Sequence, residues 1–336
     1  MSVVRQSRWS YLSVQQAPLL LAFIMLGITV VAYVVFFDLR LHHLPTGFAW
    51  YSTISNALPL VFVAAGQGIV VLTRSLDLSV GGIMDLSNGL AATHMQSSVP
   101  SMLLWSLIVL AVGGVAGLVN GLLVTVGRLQ PIVVTIATMS ILQGLAAWVL
   151  PQPGGNIPAS YTNILANSNS PVGLVFVGVV AIFWLLLRRF RLGFALYAVG
   201  NDVEAANALG INVKRVRTSA FVLSGIMSAA AGLFLAAGSS GGDATGGDSY
   251  LLASFAAVVL GGVSFFGGRG SIIGVLCGAG VLTLLVSVLF YANVNSFYQS
   301  FYEGLFLIGA VLLGMVVTGF AQRRAGGGRR RTRRQW

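Results

Sequence analysis

The chain has one cysteine, one lysine, three histidines and only eight acidic residues among 336. Its lone thiol, Cys277, has no partner for an internal disulfide and sits in an apolar run, which favours an inert buried sulfur over a reactive one. The lone lysine, Lys214, stands outside any GxxxxGK(S/T) context, so the chain carries no Walker A phosphate cradle of its own. His42, His43 and His94 lack the carboxylate or cysteine spacing of a metal centre, and no catalytic residue or metal site is indicated. Charged residues make up 8% of the chain, too few to give a soluble protein of this size a polar surface.

What the chain does have is apolar length. Hydrophobic residues are 56% of it, mean hydropathy is +0.88, and there are 42 glycines. Its apolar runs are continuous over about 17–25 residues, enough to cross a bilayer at about 1.5 Å of rise per residue, whereas a β-barrel would alternate. The expected fold class is an all-α polytopic membrane protein of about ten transmembrane helices. Expected spans are 17–37, 53–73, 79–97, 101–126, 131–150, 171–187, 218–238, 250–266, 271–292 and 299–320. They divide the chain into a cytoplasmic N-terminal segment 1–16, a transmembrane domain 17–320 and an Arg-rich cytoplasmic tail 321–336.

Basic residues test that count independently, because loops on the cytoplasmic side carry the excess of Lys and Arg. With the N-terminus inside, Arg5, Arg8, Arg74, Arg128, the segment 188–217, Arg269 and the tail Arg323 to Arg334 all fall on the inner side. Only Arg40 falls outside. Residues 38–52, 151–170 and 239–249 become outer loops, and an even number of spans puts both termini in the cytoplasm. The net charge of +11 is then read as orientation and attraction to anionic lipid headgroups, with no nucleic-acid partner. The first run is long and lacks a small-residue cleavage pattern before Asp38, so it reads as a retained anchor.

Two glycine ladders, Gly113, Gly117 and Gly121 in the fourth span and Gly270, Gly274 and Gly278 at the ninth, each put small residues on one helix face for close packing. Ionisable residues near the hydrocarbon are Asp77, Asp85 and Glu303, costly there unless they face protein or water. Asp77 and Ser79 precede two glycines, a pattern that caps the third span, and Arg74 stands one turn away as a possible ion partner. Gln299, Tyr302 and Glu303 either line a passage for a hydroxylated solute or sit at the outer interface. Asn88, Asn120 and Thr135 are further candidates for a polar lining, and helix-to-helix hydrogen bonds explain them equally well.

Between two apolar runs lies a polar island, Arg188 to Arg217, reading RRFRLGFALYAVGNDVEAANALGINVKRVR. Asn201 or Asp202 can cap a short helix there, Glu204 is in the capping-box position after Asn201, and Gly210 is placed to end the helix. A short capped helix exposed beside a membrane implies a docking surface, against the blander reading of an amphipathic connector.

Four stretches carry a resemblance: LDLSVGG at 76–82, NGLLVTVGRLQPIVVTIATMSILQGL at 120–145, GFALYAVGNDVEAANALGINVKRVR at 193–217 and AAVVLGGVSFFGGRGSIIG at 256–274. Over roughly residues 55–318 the chain resembles a permease subunit of the ribose, xylose and galactose class of bacterial ATP-binding-cassette importers. This is the BtuC-like branched-chain and monosaccharide permease superfamily. The resemblance implies the BtuC-like (type II importer) permease fold and solute import by alternating access. It implies a coupling helix that sits in a groove of a partner ATPase, a role that falls on Asp202, Glu204, Ala205, Ala206 and Gly210. Lys214 and Arg215 would hold the base of that helix at the anionic leaflet. It also implies partners: the ATPase subunit, which holds ATP and Mg, a periplasmic or extracellular solute-binding protein, and a second permease subunit, identical or not. One departure stands out, since members commonly read Gly-Gly-Ile where this chain has Arg74-Ser75-Leu76. The competing reading is an ion-gradient-driven secondary transporter or channel in which Asp77, Asp85 or Glu303 carries protons. Such a carrier has no need of an ATPase-docking helix.

Overall fold

The computed structural model describes residues 8–295 and, beyond them, 298, 301, 302, 304–306, 308, 309 and 312, with side chains from residue 18 onward. Most of the expected tenth span, the basic tail, and the candidates Gln299 and Glu303 lie outside the described residues. The chain folds into helices α1 (Arg8–Leu41), α2 (Gly47–Leu72), α3 (Val80–His94), α4 (Val99–Thr125), α5 (Pro131–Val149) and α6 (Ala159–Leu165). They continue as α7 (Val172–Leu187), α8 (Arg191–Asn201), α9 (Val203–Ala208), α10 (Val213–Ser239), α11 (Asp248–Leu260) and α12 (Ile272–Tyr291). Among the described residues there is no strand, only an isolated antiparallel bridge between Gly154 and Gly242.

Six of these helices are long and apolar enough to cross a membrane, and α7 with α8, bent by 77°, makes a possible seventh. Of the ten spans expected, the tenth lies mostly outside the described residues, and two of the others are too short for a local physical reason. The third and eighth expected spans, 79–97 and 250–266, are α3 and α11, helices of 15 and 13 residues. At about 1.5 Å per residue they extend about 22 and 20 Å, short of the roughly 30 Å of hydrocarbon. Both are shortened because polar segments, 73–79 before α3 and 240–247 before α11, enter the bundle and delay the first helical turn.

The bundle is built around α2, in which every residue from Ala57 through Leu72 is buried, as expected of a helix apolar on all sides. Against it pack α10, α12, α11 and α7, while α4 lies along the far side of α10. The glycines explain how closely. A Cβ on Gly113 or Gly117 would run into the carbonyl of Gly225 or Phe221 on α10, and one on Gly121 would stand 2.8 Å from the Thr218 Cα. In the other ladder, Gly274 and Gly278 face the carbonyls of Gly261 and Ala257. Gly270 is not part of that helix face; it precedes α12 with φ +122°, a conformation that favours glycine. Outermost, α1 rests on α12 through Tyr33 and Phe37 against Tyr291, and on the start of α2 through Tyr33 against Trp50, with ring centroids 4.6–5.7 Å apart.

The loops sort into two ends. At one, the carbonyls of Asn201 and Phe266 both accept from Arg74, Gly268 N donates to the Leu72 carbonyl, and Thr125 meets Thr218. These are the arginine-bearing loops. At the other, Gly154 pairs with Gly242, Asn156 N donates to the Ala92 carbonyl and Ile157 N to that of Ser240. Two of the cation-poor loops meet there, so the charge census and the contacts divide the molecule in the same way.

Candidate functional site

Three polar assemblies stand out, each built on a point where a helix starts or stops. The first is the break between α2 and α3. α2 ends at Leu72, Arg74 takes φ +60°, and the chain re-enters the bundle as far as Ser79. Asp77 and Ser79 are fully buried there. Asp77 Oδ1 accepts from Ser79 N at 3.0 Å and Ser79 Oγ at 2.6 Å, and its Oδ2 accepts from Ser224 Oγ of α10 at 2.9 Å. Ser79 Oγ in turn accepts from Asn120 Nδ2 at 2.8 Å, and Asn120 Oδ1 accepts from Thr138 Oγ1 at 2.6 Å. A directed chain of donors thus runs from α5 through α4 to Asp77, tying four helices at one buried point.

The expected bond from Asp77 to the backbone is made, but to the N–H of Ser79, the N-cap residue; the Ser79 side chain makes no cap bond of its own, and Asp77, three residues before the first helical residue, holds the turn that leads into α3. The expected Arg74 partnership is not made. Arg74 turns away and spends its guanidinium on two backbone carbonyls, Asn201 O at 2.6 Å and Phe266 O at 2.7 Å. The left-handed backbone at Arg74 sends the two side chains to different places.

The second assembly is the segment 240–247, which descends along α3. Asn88 Oδ1 accepts from Asp243 N at 3.0 Å, and Asp85 Oδ1 accepts from Gly247 N at 2.6 Å. Between Ala92, next to Gly242, and Gly81, next to Gly247, the segment covers eleven residues of α3, about 16 Å. α11 consequently starts deep in the bundle, its first residue, Asp248, accepting from Gln143 Nε2 of α5. α3 and α11 begin beside one another and run toward opposite ends, an arrangement of two discontinuous helices.

The third assembly is the polar island. It is not one loop with a central helix but two helices, α8 and α9, followed by the first turn of α10. Asp202, not Asn201, is the N-cap, its Oδ1 accepting from Glu204 N at 2.9 Å and Ala205 N at 3.0 Å. Asn201 is instead the last residue of α8, so the capping box expected from it is not formed. Gly210 takes φ +77° and closes a Schellman turn, Gly210 N donating to the Asn207 carbonyl and Ile211 N to that of Ala206. Glu204, Ala205, Gly210, Lys214 and Arg215 are exposed. Ala206, expected among the contacts, is 1% exposed and packs into the protein's own core, because a helix this short turns one residue of each turn inward.

Of the polar-lining candidates, Asp77, Ser79 and Asn120 come together, Asn88 joins the second assembly, and Thr135 is buried with its hydroxyl on the carbonyls of Pro131 and Ile132 of its own helix. Tyr302 is exposed and its ring meets Phe301. Sequence reasoning missed Ser224, Thr138, Gln143 and Asp248. It also missed Gln67, fully buried with neither amide atom hydrogen-bonded among the described residues. A lone amide in the apolar run of α2 was the available signal for Gln67; the others are joined only by tertiary contact.

These features define a polytopic helical membrane protein with discontinuous helices and an exposed capped helix at its cationic end. The chain belongs to the family described as branched-chain amino acid transport system / permease component, which matches residues 51–316. It is 38% identical over 257 residues to the ribose import permease protein RbsC of Bacillus subtilis (strain 168), covering 75% of this chain and 80% of that protein. A probable ABC transporter permease protein of Sinorhizobium fredii is 33% identical over 292 residues, 84% of this chain and 85% of its own. The autoinducer 2 import system permease protein LsrC of Yersinia enterocolitica is 34% identical over 267 residues, 77% of this chain and 72% of its own. No solved structure matches the chain. It is a permease component of a membrane transport system.

Proposed function

We propose that the chain is the membrane-spanning subunit of an ATP-binding-cassette importer for a monosaccharide, a pentose or hexose, in the bacterial inner membrane. The observation that carries this reading is the capped helix α9, an exposed element with a side-chain cap and a Schellman close at the end of the molecule where the arginines collect. Such a rigid knob suits a groove in a partner. Glu204, Ala205 and Gly210 form its contact face with the ATPase, Asp202 fixes its start, and Lys214 and Arg215 meet the anionic leaflet. ATP and Mg reside on that partner. Closure of two ATPase subunits pushes α9 on each of two permease subunits and reorients them, while a binding protein outside delivers the solute. Relatives named for ribose and autoinducer 2 import support a small polyhydroxylated cargo. Asp77, Ser79, Asn88, Asn120 and Thr135 frame the helices beside the path, with Gln299, Tyr302 and Glu303 assigned to its outer part.

The test is coupling. In proteoliposomes holding the permease, its ATPase and the binding protein, ribose uptake should require ATP on the α9 side. Glu204→Ala and Gly210→Val should abolish stimulation of ATP hydrolysis while leaving the thermal midpoint within about 4 °C, since both sites are exposed surface positions and the left-handed strain at 210 is about 1–2 kcal/mol. Uptake driven by a proton gradient without ATP would favour the gradient-driven carrier instead.

A further inference from the structure

One polar pair belongs to neither the Asp77 chain nor the coupling segment. Gln143 Nε2 donates to Asp248 Oδ1 at 2.5 Å, and Asp248 and its neighbour Ser249 are exposed. Their depth makes that exposure informative. Gln143 lies twelve residues from the start of α5 and six from its end, about 18 Å and 9 Å along the helix. The register of α5 on α3 fixes the level, since a Cβ on Gly82 would stand 3.1 Å from the Leu142 Cβ. Gly247, the residue before Asp248, donates to Asp85 on the next turn of α3. A carboxyl and an amide turned outward at this depth are costly against acyl chains, and side chains of this kind face protein or a water-filled cavity.

Three further observations mark the face as one that meets a solute. Asp85 is fully buried, and while one oxygen holds Gly247 N, the other has no hydrogen-bond partner among the described residues. Ser140 is exposed one turn from Gln143 on the same helix. No arginine or lysine among the described residues hydrogen-bonds to Asp85, Asp243 or Asp248, and apart from Arg40 the cations of this structure lie at the opposite end. The surface is acidic, amide- and hydroxyl-bearing, and framed by two helices that start at one level from opposite sides.

We infer that the exposed face of α5 and α11 around Gln143 and Asp248 is a water-lined wall of the solute path that binds a neutral or cationic polyhydroxylated solute and rejects anions. The inference rests on the permease reading and adds to it the residues and charge that choose the cargo. Asp248 accepts hydroxyl protons from adjacent carbons of the solute, and Gln143 offers both its carbonyl oxygen and its remaining N–H. An anionic sugar acid or sugar phosphate meets the carboxyl of Asp248 with no cation to offset it.

The single native cysteine allows a direct test. In a Cys277→Ser background, S249C and S140C are placed on the wall and V115C, on an outward position of α4 that is 59% exposed, serves as a control at comparable depth. Proteoliposomes of the complete transporter are treated with membrane-impermeant cationic and anionic methanethiosulfonates, at rest and during ATP turnover. Rates are compared with those of a free thiol in solution. In at least one condition S249C should react tenfold or more faster than V115C, with a cation-to-anion rate ratio several-fold above that of the free thiol. Adding Asp248→Asn should bring the ratio back to the free-thiol value. If both wall cysteines react as slowly as V115C in both conditions, the wall is refuted. A ratio indifferent to Asp248→Asn refutes the selection against anions. Labelling needs neither the solute nor ATP-driven uptake, so fast labelling together with ATP-independent uptake would overturn the importer reading and leave the wall supported.

Discussion

Asp77 offers the sharpest separation of scaffold from path. Its carboxyl receives three donors, Ser79 N, Ser79 Oγ and Ser224 Oγ, at 2.6–3.0 Å, in full burial. Asp77→Ala removes all three acceptor contacts and strands at least the Ser79 N–H and one hydroxyl. At about 1–3 kcal/mol for each buried donor left unmade, the loss is about 3–5 kcal/mol. Asp77→Asn keeps one oxygen for the Ser79 turn and presents an NH2 where the other accepted, a loss of about 1–2 kcal/mol. Ser224→Ala deletes one donor and leaves Oδ2 unpaired, a loss in the same range as Asp77→Asn. Because Ser224 and Asp77 act on each other, the double variant Asp77→Ala with Ser224→Ala should lose less than the sum of the two singles. Thermal midpoints of the detergent-solubilised chain measure this. At roughly 2 °C per kcal/mol in a chain of this size, Asp77→Ala should melt about 6–10 °C lower, and the other singles about 2–4 °C lower. Solute preference, read by competition in the uptake assay, should not change in any variant that still assembles. An unchanged midpoint for Asp77→Ala combined with an altered preference would put Asp77 in the path and refute its role as a structural knot.

Helix contact predicts a second contrast: Gly117→Leu should drive α4 from α10 and abolish a cooperative melt, whereas Gly178→Ala, with nothing within 4 Å of the new methyl, should melt as the parent does. Equal behaviour of the two would mean that the α4–α10 approach is not as close as described. Arg74→Ala removes two bonds to backbone carbonyls at an exposed site, so the midpoint should fall by no more than a few degrees. ATPase stimulation should fall severalfold, with partial rescue by Arg74→Lys through a single bond; full stimulation in Arg74→Ala would show that α8 needs no tie to the end of α2.

Much of the fold was legible because apolar runs and arginines report simple physics. Long runs became α1, α2, α4, α5, α10 and α12, and the loops grouped by charge did collect at opposite ends. The same hydropathy signal failed at α3 and α11. A window average sees Val80–His94 and Asp248–Leu260 as apolar enough, but not that residues 73–79 and 240–247 are drawn inside by hydrogen bonds to partners far away in sequence, Ser224 Oγ donating to Asp77 and Asp243 N donating to Asn88. A segment's depth is a tertiary fact. For that reason Asp248 was placed in an outer loop, where a carboxyl needs no explanation, and not beside Gln143 partway along α5, where it does.

The coupling segment illustrates the converse. Capping chemistry is local, so Asp202 and Gly210 were readable from a handful of residues, and only the choice between Asn201 and Asp202 needed the structure. Arg74 was not readable, because its meaning depends on φ. With a right-handed backbone the side chain would lie one turn below Asp77 and neutralise it; at φ +60° it points to the far loops and joins the end of α2 to the residue that precedes the cap of α9. Only two residues, Ser75 and Leu76, separate Arg74 from Asp77, so a displacement of α8 that Arg74 follows must be absorbed in that break. The alternative is to pull on the bonds that fix Asp77 to α10. A push on α9 therefore has a short physical route to the start of α3, and through Gly81 and Gly247 to the start of α11, the two helix ends that meet beside the proposed wall.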